Sequence, residues 1–110
     1  MKHRHMVNFI NKVVMPQVIR TRDSGQKEYA QDKDNIFANF ERIAKLIKVP
    51  RGKVLMTYLL KHIEGIVSFI NGHKSQRESV EGRIKDAIIY LMLLWAMIYE
   101  ERQKEKDENH

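Results

Sequence analysis

Two pairs of oppositely charged side chains are the part of this sequence best suited to chemistry. Lys61 and Glu64 lie three residues apart, as do Arg83 and Asp86, and residues at this spacing are neighbours on a helix. The eighteen residues between Glu64 and Arg83 suffice for a hairpin that lays the pairs opposite each other. The basic members can pair with the carboxylates in a polar layer between helices, or they can contact the phosphates of a ligand.

Most recognised catalytic patterns are absent. The chain contains no GxxxxGK[ST], GxGxxG, GxSxG or HExxH pattern. It also contains no cysteine, which excludes disulfide frameworks, thiolate zinc sites and cysteine nucleophiles. Among the histidines, only His62 lies in a strongly patterned helix. Three others belong to the termini, residues 1–5 and 103–110, which we expect to be frayed.

The charge of this 110-residue chain, short enough for a single domain at residues 1–110, is unevenly distributed. Twenty basic and fourteen acidic residues give +6, but residues 100–110 carry −2, so residues 1–99 carry +8. A body this basic attracts anions such as nucleotides, although the charge also serves solubility. The same charge suits nucleic acid, which stays a further alternative, but the aromatic residues do not alternate with basic ones as stacking platforms do.

Four helices and no strand are predicted, which makes the fold class all-α. The first helix follows the spacing of Val7, Ile10 and Val14, and Pro16 is expected to end or kink it. A long polar loop is predicted at residues 22–34.

The other three helices are predicted from their ends. Asp34 or Asn35 can cap the second helix. Pro50 suits the first position of the third, which is expected to stop at residues 71–72, an Asn-Gly pair. Residues 75–78, Ser-Gln-Arg-Glu, are typical of a capping box and predict that the fourth helix opens there.

The fourth helix is apolar on every face between Ile88 and Ile98. Such a helix needs neighbours all round, so we predict a homo-oligomer formed through it, with a tightly wrapped monomer core as the alternative. Its apolar run, residues 87–99, is shorter than the ~18 residues that span a bilayer. No secretory pattern is found either, and we expect a cytoplasmic protein with no membrane partner.

In their order along the chain, several segments resemble the MazG-like, all-α nucleotide pyrophosphohydrolases, including their small phage-encoded members. The resemblance implies a four-helix bundle. In this family, paired helices carry an ExxE and a later ExxD, and the four carboxylates hold magnesium against a triphosphate. The matching segments are residues 27–30 (Lys-Glu-Tyr-Ala), 35–44 (Asn-Ile-Phe-Ala-Asn-Phe-Glu-Arg-Ile-Ala), 61–64 (Lys-His-Ile-Glu) and 82–91 (Gly-Arg-Ile-Lys-Asp-Ala-Ile-Ile-Tyr-Leu).

The chain departs from that family pattern at two positions. Glu64 and Asp86 match the second acid of each motif, whereas Lys61 and Arg83 stand where the first acids would be. The resemblance then implies a phage-type protein that binds or sequesters a nucleotide, including a cyclic or host-defence signalling nucleotide, without efficient hydrolysis and without a cofactor. One alternative is a magnesium-dependent pyrophosphatase in which Glu78 and Glu81 join Glu64 and Asp86. The other is a non-catalytic protein-interaction or inhibitor module.

A set of candidate nucleotide-binding residues follows from this interpretation. Basic residues would contact phosphate, a tyrosine would stack on the base, and Asn39 would hydrogen-bond the base or cap a loop. The phosphate candidates are Lys27, Lys61, Arg77 and Arg83, and the stacking candidates are Tyr29 and Tyr90.

Overall fold

The computed structural model describes residues 1–25, 34–74 and 77–109. Over these residues every regular element is helical and no strand occurs, which confirms the predicted all-α class. The elements are α1 (His3–Phe9), a π-helical turn (Ile10–Val14), α2 (Met15–Gly25), α3 (Ala38–Ile47), α4 (Arg51–Ile70) and α5 (Val80–Glu108). Because α1, the π-turn and α2 follow one another without a break, they form one continuous helical segment, and the described chain has four such segments.

The first helical segment continues through Pro16 instead of ending there. Proline cannot donate a hydrogen bond to the carbonyl one turn earlier, and its ring crowds that carbonyl. The turn before it widens accordingly, and the Met15 amide donates to the carbonyl of Ile10, five residues back. A π-turn of this kind relieves the clash without stopping the helix.

Three predicted boundaries shift in the structure. The helix preceding the predicted loop at 22–34 runs to Gly25, and residues 26–33 lie outside the described residues. At the two ends, α1 begins at His3 and α5 continues to Glu108. Most of the residues expected to be frayed are therefore helical.

A side-chain-stabilised turn precedes α3. Asn35 Oδ1 accepts a hydrogen bond from the Phe37 amide at 3.0 Å, and Asn35 Nδ2 donates to Glu41 Oε2 at 3.0 Å. Asn35 thus organises the turn, as its type favours, and the helix begins later than predicted. At the other end, Lys48 adopts a left-handed conformation (φ 58°) that terminates α3.

The α4–α5 hairpin confirms one predicted boundary and corrects another. Helix α4 ends at Ile70, directly before the predicted Asn-Gly stop, and Gly72 has φ +99°. Helix α5 is capped by Ser79, whose Oγ accepts from the Gly82 amide at 3.0 Å, and begins at Val80, later than predicted; residues 75–76 of the predicted box lie outside the described residues. Ser79 precedes the first helical residue, so its hydroxyl can reach an amide of the first turn that has no helical partner.

The core is small and lies where α3, α4 and α5 meet. It contains Phe37, Phe40, Ala44, Val54, Leu55 and Met97. Helix α2 packs on α5, with Lys85 Nζ donating to Gln17 Oε1 at 3.3 Å. The described part of the chain has no fully buried polar residue. Any site built from its polar side chains therefore lies at the edge of this core.

Arg51 joins three helices at the end of the core. Its guanidinium donates to Glu41 Oε1 and to Glu100 Oε1, each at 3.2 Å, and lies 4.7 Å from the centre of the Phe37 ring. These contacts fix α3 and α5 against the first turn of α4. None of the described helices is both long and apolar enough to cross a membrane.

Candidate functional site

A cavity of about 620 Å³ lies between α2, α3, α4 and α5. One wall is mainly aromatic and aliphatic, and the other is polar. The apolar wall is made by Ile36, Phe40, Tyr58, Ile89, Tyr90 and Leu93, and the polar wall by Thr21, Arg22, Ser24, Asn39, His62, Glu78 and Asp86. A cleft with one apolar wall and a few convergent polar groups is the usual form of a small-molecule site.

The apolar wall contains a cluster of aromatic rings. The rings of Tyr58 and Tyr90 are nearly parallel, at 10°, with centroids 6.1 Å apart. Phe40 meets both of them edge-on, at 6.1 and 6.2 Å, and the His62 ring lies 5.6 Å from Tyr90. Offset and edge-to-face contacts of this kind are the preferred arrangements of aromatic pairs. The cluster fixes the orientation of two tyrosines that line the cavity.

His62 lies between two carboxylates on the polar wall. Its Nδ1 is 3.8 Å from Glu78 Oε2, and its Nε2 is 3.7 Å from Asp86 Oδ2. Both distances are too long for hydrogen bonds, and Nδ1 is buried without a hydrogen-bond partner among the described residues. Buried nitrogens without a partner are uncommon in folded proteins, so this position is suited to a ligand that supplies one.

The carboxyl group of Asp86 is electrostatically perturbed. Burial raises its pKa above the ordinary value, and the nearby Glu78 carboxylate raises it further. His62 and Lys85 act in the opposite direction but do not offset the burial. A desolvated carboxylate in a cleft is typical of functional sites, because its charge is stabilised once a ligand donates hydrogen bonds to it.

A second, shallower depression lies beside the cavity on the α4–α5 hairpin. We call it the cationic groove; it is lined by Lys61, Glu64, Gly65, Ser68, Arg77 and Arg83. Three basic residues against one acid give it a formal charge of +2. The Arg83 side chain lies against Gly65, and its Nε is buried with no hydrogen-bond partner in the described ranges.

The structure divides the predicted site residues between the cavity and the groove. Asn39, Glu78, Asp86 and Tyr90 line the cavity, whereas Lys61, Glu64, Arg77 and Arg83 line the groove. Glu81 is exposed and lines neither. The predictions for Lys27 and Tyr29 lie outside the described residues.

The two charged pairs are therefore not laid opposite each other as single units. Residues three apart on a helix differ by about 60° around its axis. On α5 that angle directs Arg83 into the groove beside Glu64 and Asp86 into the cavity beside His62. The predicted charge pair on α5 is therefore split, with Arg83 in the groove and Asp86 in the cavity.

Tyr58 and His62 are cavity residues that the sequence does not single out as site residues. At helical spacing Tyr58 fits an apolar stripe, and His62 is simply a histidine inside a helix. A usable signal was present: Tyr58 lies one turn before His62 on α4, and Asp86 lies one turn before Tyr90 on α5. A tyrosine one turn from an ionisable residue on both helices of a hairpin marks a shared polar and aromatic face.

The acids of the magnesium-dependent alternative do not converge in this arrangement. Glu64 lies in the groove and Glu81 is exposed, so only Glu78 and Asp86 of the four acids reach the cavity. Magnesium requires near-octahedral oxygen ligands. The group that does converge is His62, Glu78 and Asp86, with one donor atom of each within 4.8 Å of the others. A mixed imidazole and carboxylate set suits zinc, manganese or ferrous iron better than magnesium.

Comparison with protein-family models, with curated proteins and with solved structures returns no match for this chain. The MazG-like resemblance therefore stays a prediction that depends on the motif residues themselves.

Proposed function

We propose that this protein binds a nucleotide, with the base in the cavity and the phosphates on the cationic groove. The observation that carries the proposal is the pair of nearly parallel tyrosines, Tyr58 and Tyr90, which lie beside polar groups in a cleft of suitable size. A nucleobase is a flat ring with hydrogen-bonding edges. Base stacking on aromatic side chains is worth about 1–3 kcal/mol per base.

The polar wall offers partners for the edge of a base. Asn39 accepts a hydrogen bond from Arg42 Nη2 at 2.9 Å, which holds its amide at the cavity. Asp86 presents a desolvated carboxylate, and an exocyclic amino group or ring N–H would satisfy it. The Asp86 carboxylate therefore favours a base edge that donates, through an exocyclic amino group or a ring N–H, while Asn39 Nδ2 can donate to an acceptor on the base.

The phosphates are assigned to the groove because of its position and charge. Lys61 of the groove adjoins His62 of the cavity along the chain, and Arg77 of the groove adjoins Glu78 of the cavity, so the two depressions draw on neighbouring residues of the same hairpin. The groove carries +2, whereas the carboxylates of Glu78 and Asp86 in the cavity would repel phosphate. Lysine and arginine bind phosphate oxygens through charge-assisted hydrogen bonds.

Binding without efficient hydrolysis is part of the proposal. Pyrophosphate release from a triphosphate commonly uses divalent metal to neutralise charge on the transferring group. The four acids of the magnesium-dependent alternative are dispersed over the cavity, the groove and the exposed surface. A protein that binds a nucleotide tightly without hydrolysing it would sequester that nucleotide.

We also propose assembly through α5, as the apolar run between Ile88 and Ile98 predicts. Trp95 is 75% exposed in the single chain, and Leu91 and Tyr99 on the same face are more than half exposed. Large apolar side chains grouped on one helix face are typical of protein interfaces.

Isothermal titration calorimetry with a panel of nucleosides, mono- and triphosphates and cyclic nucleotides tests the proposal. Each titration is run once with EDTA and once with magnesium, and the nucleotide is then recovered and analysed by chromatography. We expect binding in EDTA and recovery of intact nucleotide. Absence of binding to every member of the panel would overturn the proposal and favour an interaction module. Pyrophosphate release in magnesium, lost in Asp86→Asn, would replace binding with catalysis.

A matched pair of variants separates the two halves of the site. Arg83→Gln should weaken the binding of nucleotides about tenfold, because one charge-assisted phosphate contact is lost, and should leave nucleoside binding unchanged. Lys45→Gln, an exposed lysine on α3 that lines neither site, removes the same charge as a control. Equal weakening by both variants would show that only overall charge matters, which would contradict the groove assignment.

A further inference from the structure

The three ionisable side chains that converge on the polar wall of the cavity have the chemistry of metal ligands. One donor atom each of His62, Glu78 and Asp86 lies within 4.8 Å of the other two. No other three histidine, aspartate or glutamate side chains converge in this way within residues 1–25, 34–74 and 77–109. An imidazole nitrogen and carboxylate oxygens are ligands that zinc takes in proteins. The donor atoms therefore match a site for a divalent transition metal.

The spacing of the three donor atoms fits one small ion. Three atoms no more than 4.8 Å apart share a point within about 2.8 Å of each of them, whereas zinc bonds to nitrogen and oxygen are about 2.1 Å long. The atoms need to close by less than about 1 Å to bind the ion. Glu78 can supply much of this movement, because its side chain is 53% exposed and lies just before α5.

The other two ligands are positioned by packed helices, His62 on α4 and Asp86 on α5. The His62 side chain is only 15% exposed, and its ring lies 5.6 Å from the Tyr90 ring, tilted by 31°. Its Nδ1 is buried without a hydrogen-bond partner in the part of the chain that the structure describes. Neutral imidazole is the commonest metal ligand in proteins, so a bound ion would satisfy a ring nitrogen of His62 directly.

The charges of the cluster also favour a cation. Glu78 and Asp86 bring two carboxylates to one histidine, and carboxylates this close repel each other. A divalent ion between them would neutralise both. Arg22 is the one arginine or lysine among the cavity-lining residues that the structure describes, and it pairs with Asp23 at 3.2 Å. The two carboxylates are therefore left for a cation from solution.

We infer that His62, Glu78 and Asp86 bind one zinc ion in the cavity. Three protein ligands leave a position open on a four-coordinate ion, as in zinc sites where the metal meets water or a ligand. Each carboxylate needs only one oxygen for the metal, so the second oxygen of Asp86 stays available to a base. Of the three residues, only Asp86 stands at an acid position of the family pattern. Zinc binding is independent of nucleotide binding, and each can be measured without the other.

Titration of the nucleotide-free protein with zinc tests the inference. The protein is stripped of metal with EDTA and dialysed, and zinc and magnesium binding are measured by isothermal titration calorimetry. Cobalt(II) is then bound in place of zinc, because its visible absorption reports the coordination number. The test variants are His62→Gln and Glu78→Gln. Their matched controls are His73→Gln and Glu81→Gln, which remove an exposed histidine and an exposed carboxylate outside the cavity.

We expect the wild type and both controls to bind one zinc ion per chain, more tightly than magnesium. Their cobalt forms should show the intense absorption of a four- or five-coordinate site. Each test variant should bind zinc at least about tenfold more weakly, since even an outer-shell partner of a metal is worth about 10–100-fold in affinity. Circular dichroism confirms that the variants remain folded, and Glu78→Gln changes a side chain on the surface.

Three results would overturn the inference. The first is a wild type that binds no zinc, and the second is a wild type that prefers magnesium. The third is unchanged zinc affinity in His62→Gln or Glu78→Gln, which would assign the ion to histidines elsewhere, such as those at the termini. Nucleotide titration in EDTA decides the proposed function separately. Nucleotide binding without zinc binding would overturn only the metal site, and zinc binding without nucleotide binding would overturn only the proposed function.

Discussion

Arg83 lies across Gly65, so closely that a Cβ atom on residue 65 would be 2.5 Å from Arg83 Nη1 and 2.6 Å from its Cδ. Contacts this short do not occur between real atoms, and the absence of a side chain at Gly65 is what admits the arginine. The glycine therefore positions a cation in the groove. Within a helix it also has a cost, because glycine is a poor helix former.

Gly65→Ala should consequently affect ligand binding more than stability. Alanine gains about 1 kcal/mol of helix propensity, which offsets the packing lost when the flexible Arg83 side chain moves away. We expect the free energy of unfolding to change by less than about 1 kcal/mol, as urea denaturation would measure. Affinity for a nucleoside triphosphate should fall about tenfold through the lost charge-assisted contact, with nucleoside affinity unchanged.

Gly52→Ala is the control for this substitution. Gly52 also lies in α4, but a Cβ there would have no atom within 4 Å, so only the gain in helix propensity should remain. Unchanged triphosphate affinity in Gly65→Ala would show that Arg83 does not contact the phosphates.

The sequence predicts the helices well because their signals are local. Apolar spacing and the Asn-Gly stop lie within a few residues of the structure they determine. The boundaries failed where two local signals competed. Ser79 and the Ser-Gln-Arg-Glu box at 75–78 are both acceptable starts for α5 by residue type, and the helix uses Ser79. For Pro16, a π-turn resolves a conflict that the sequence alone presents as a helix end or kink.

The site was less predictable because it depends on which way two packed helices face. Spacing correctly identifies Lys61, Glu64, Arg83 and Asp86 as residues near the α4–α5 contact. It cannot show that Arg83 faces the groove while Asp86 faces the cavity. Which way each residue faces depends on the rotation of each helix about its axis, and that rotation is set by packing throughout the core.

Replacing Tyr90 by leucine should remove base stacking while keeping an apolar side chain of similar bulk in the cavity wall. We expect nucleotide and nucleoside affinities to fall together, about tenfold or more, since stacking is worth about 1–3 kcal/mol. Calorimetric titration provides the measurement. Tyr90→Phe retains the ring and should bind within about threefold of wild type, because the stacking face is preserved. If the Tyr90→Leu and Tyr90→Phe variants bind nucleotide equally well, no base stacks on this ring.

Arg51→Ala should destabilise the fold without altering the affinity per folded molecule. The substitution removes the ring contact with Phe37 and the hydrogen bonds to Glu41 and Glu100. Both carboxylates are substantially exposed, so their share is screened by solvent. We expect a loss of about 1–3 kcal/mol in urea denaturation. Lys53→Ala, at an exposed position in the same first turn, should stay within about 0.5 kcal/mol; an equal loss there would implicate the helix and not the arginine contacts.

Ionisation of Asp86 should lower the stability of the fold as pH rises, and the Asp86→Asn variant should not show this loss. Burial raises the pKa of this carboxyl, so the folded state binds the proton more tightly than the unfolded chain does. The stability that this proton contributes is fully present below the ordinary pKa, near pH 4, and is lost as pH rises through the higher folded pKa.

Asp86→Asn keeps the side chain neutral at every pH. We therefore expect its melting temperature to exceed that of the wild type by more at pH 7 than at pH 3.5. Thermal denaturation of both proteins at the two pH values gives the gap in melting temperature at each pH. Comparing the two gaps removes the effect of the titratable groups that both proteins share. Glu81→Gln is the control, because that carboxylate lies exposed on the same helix outside both sites. If the gap in melting temperature is equal at both pH values, ionisation of Asp86 does not lower the free energy of unfolding. That result would contradict the proposal that its desolvated carboxylate is stabilised by a ligand.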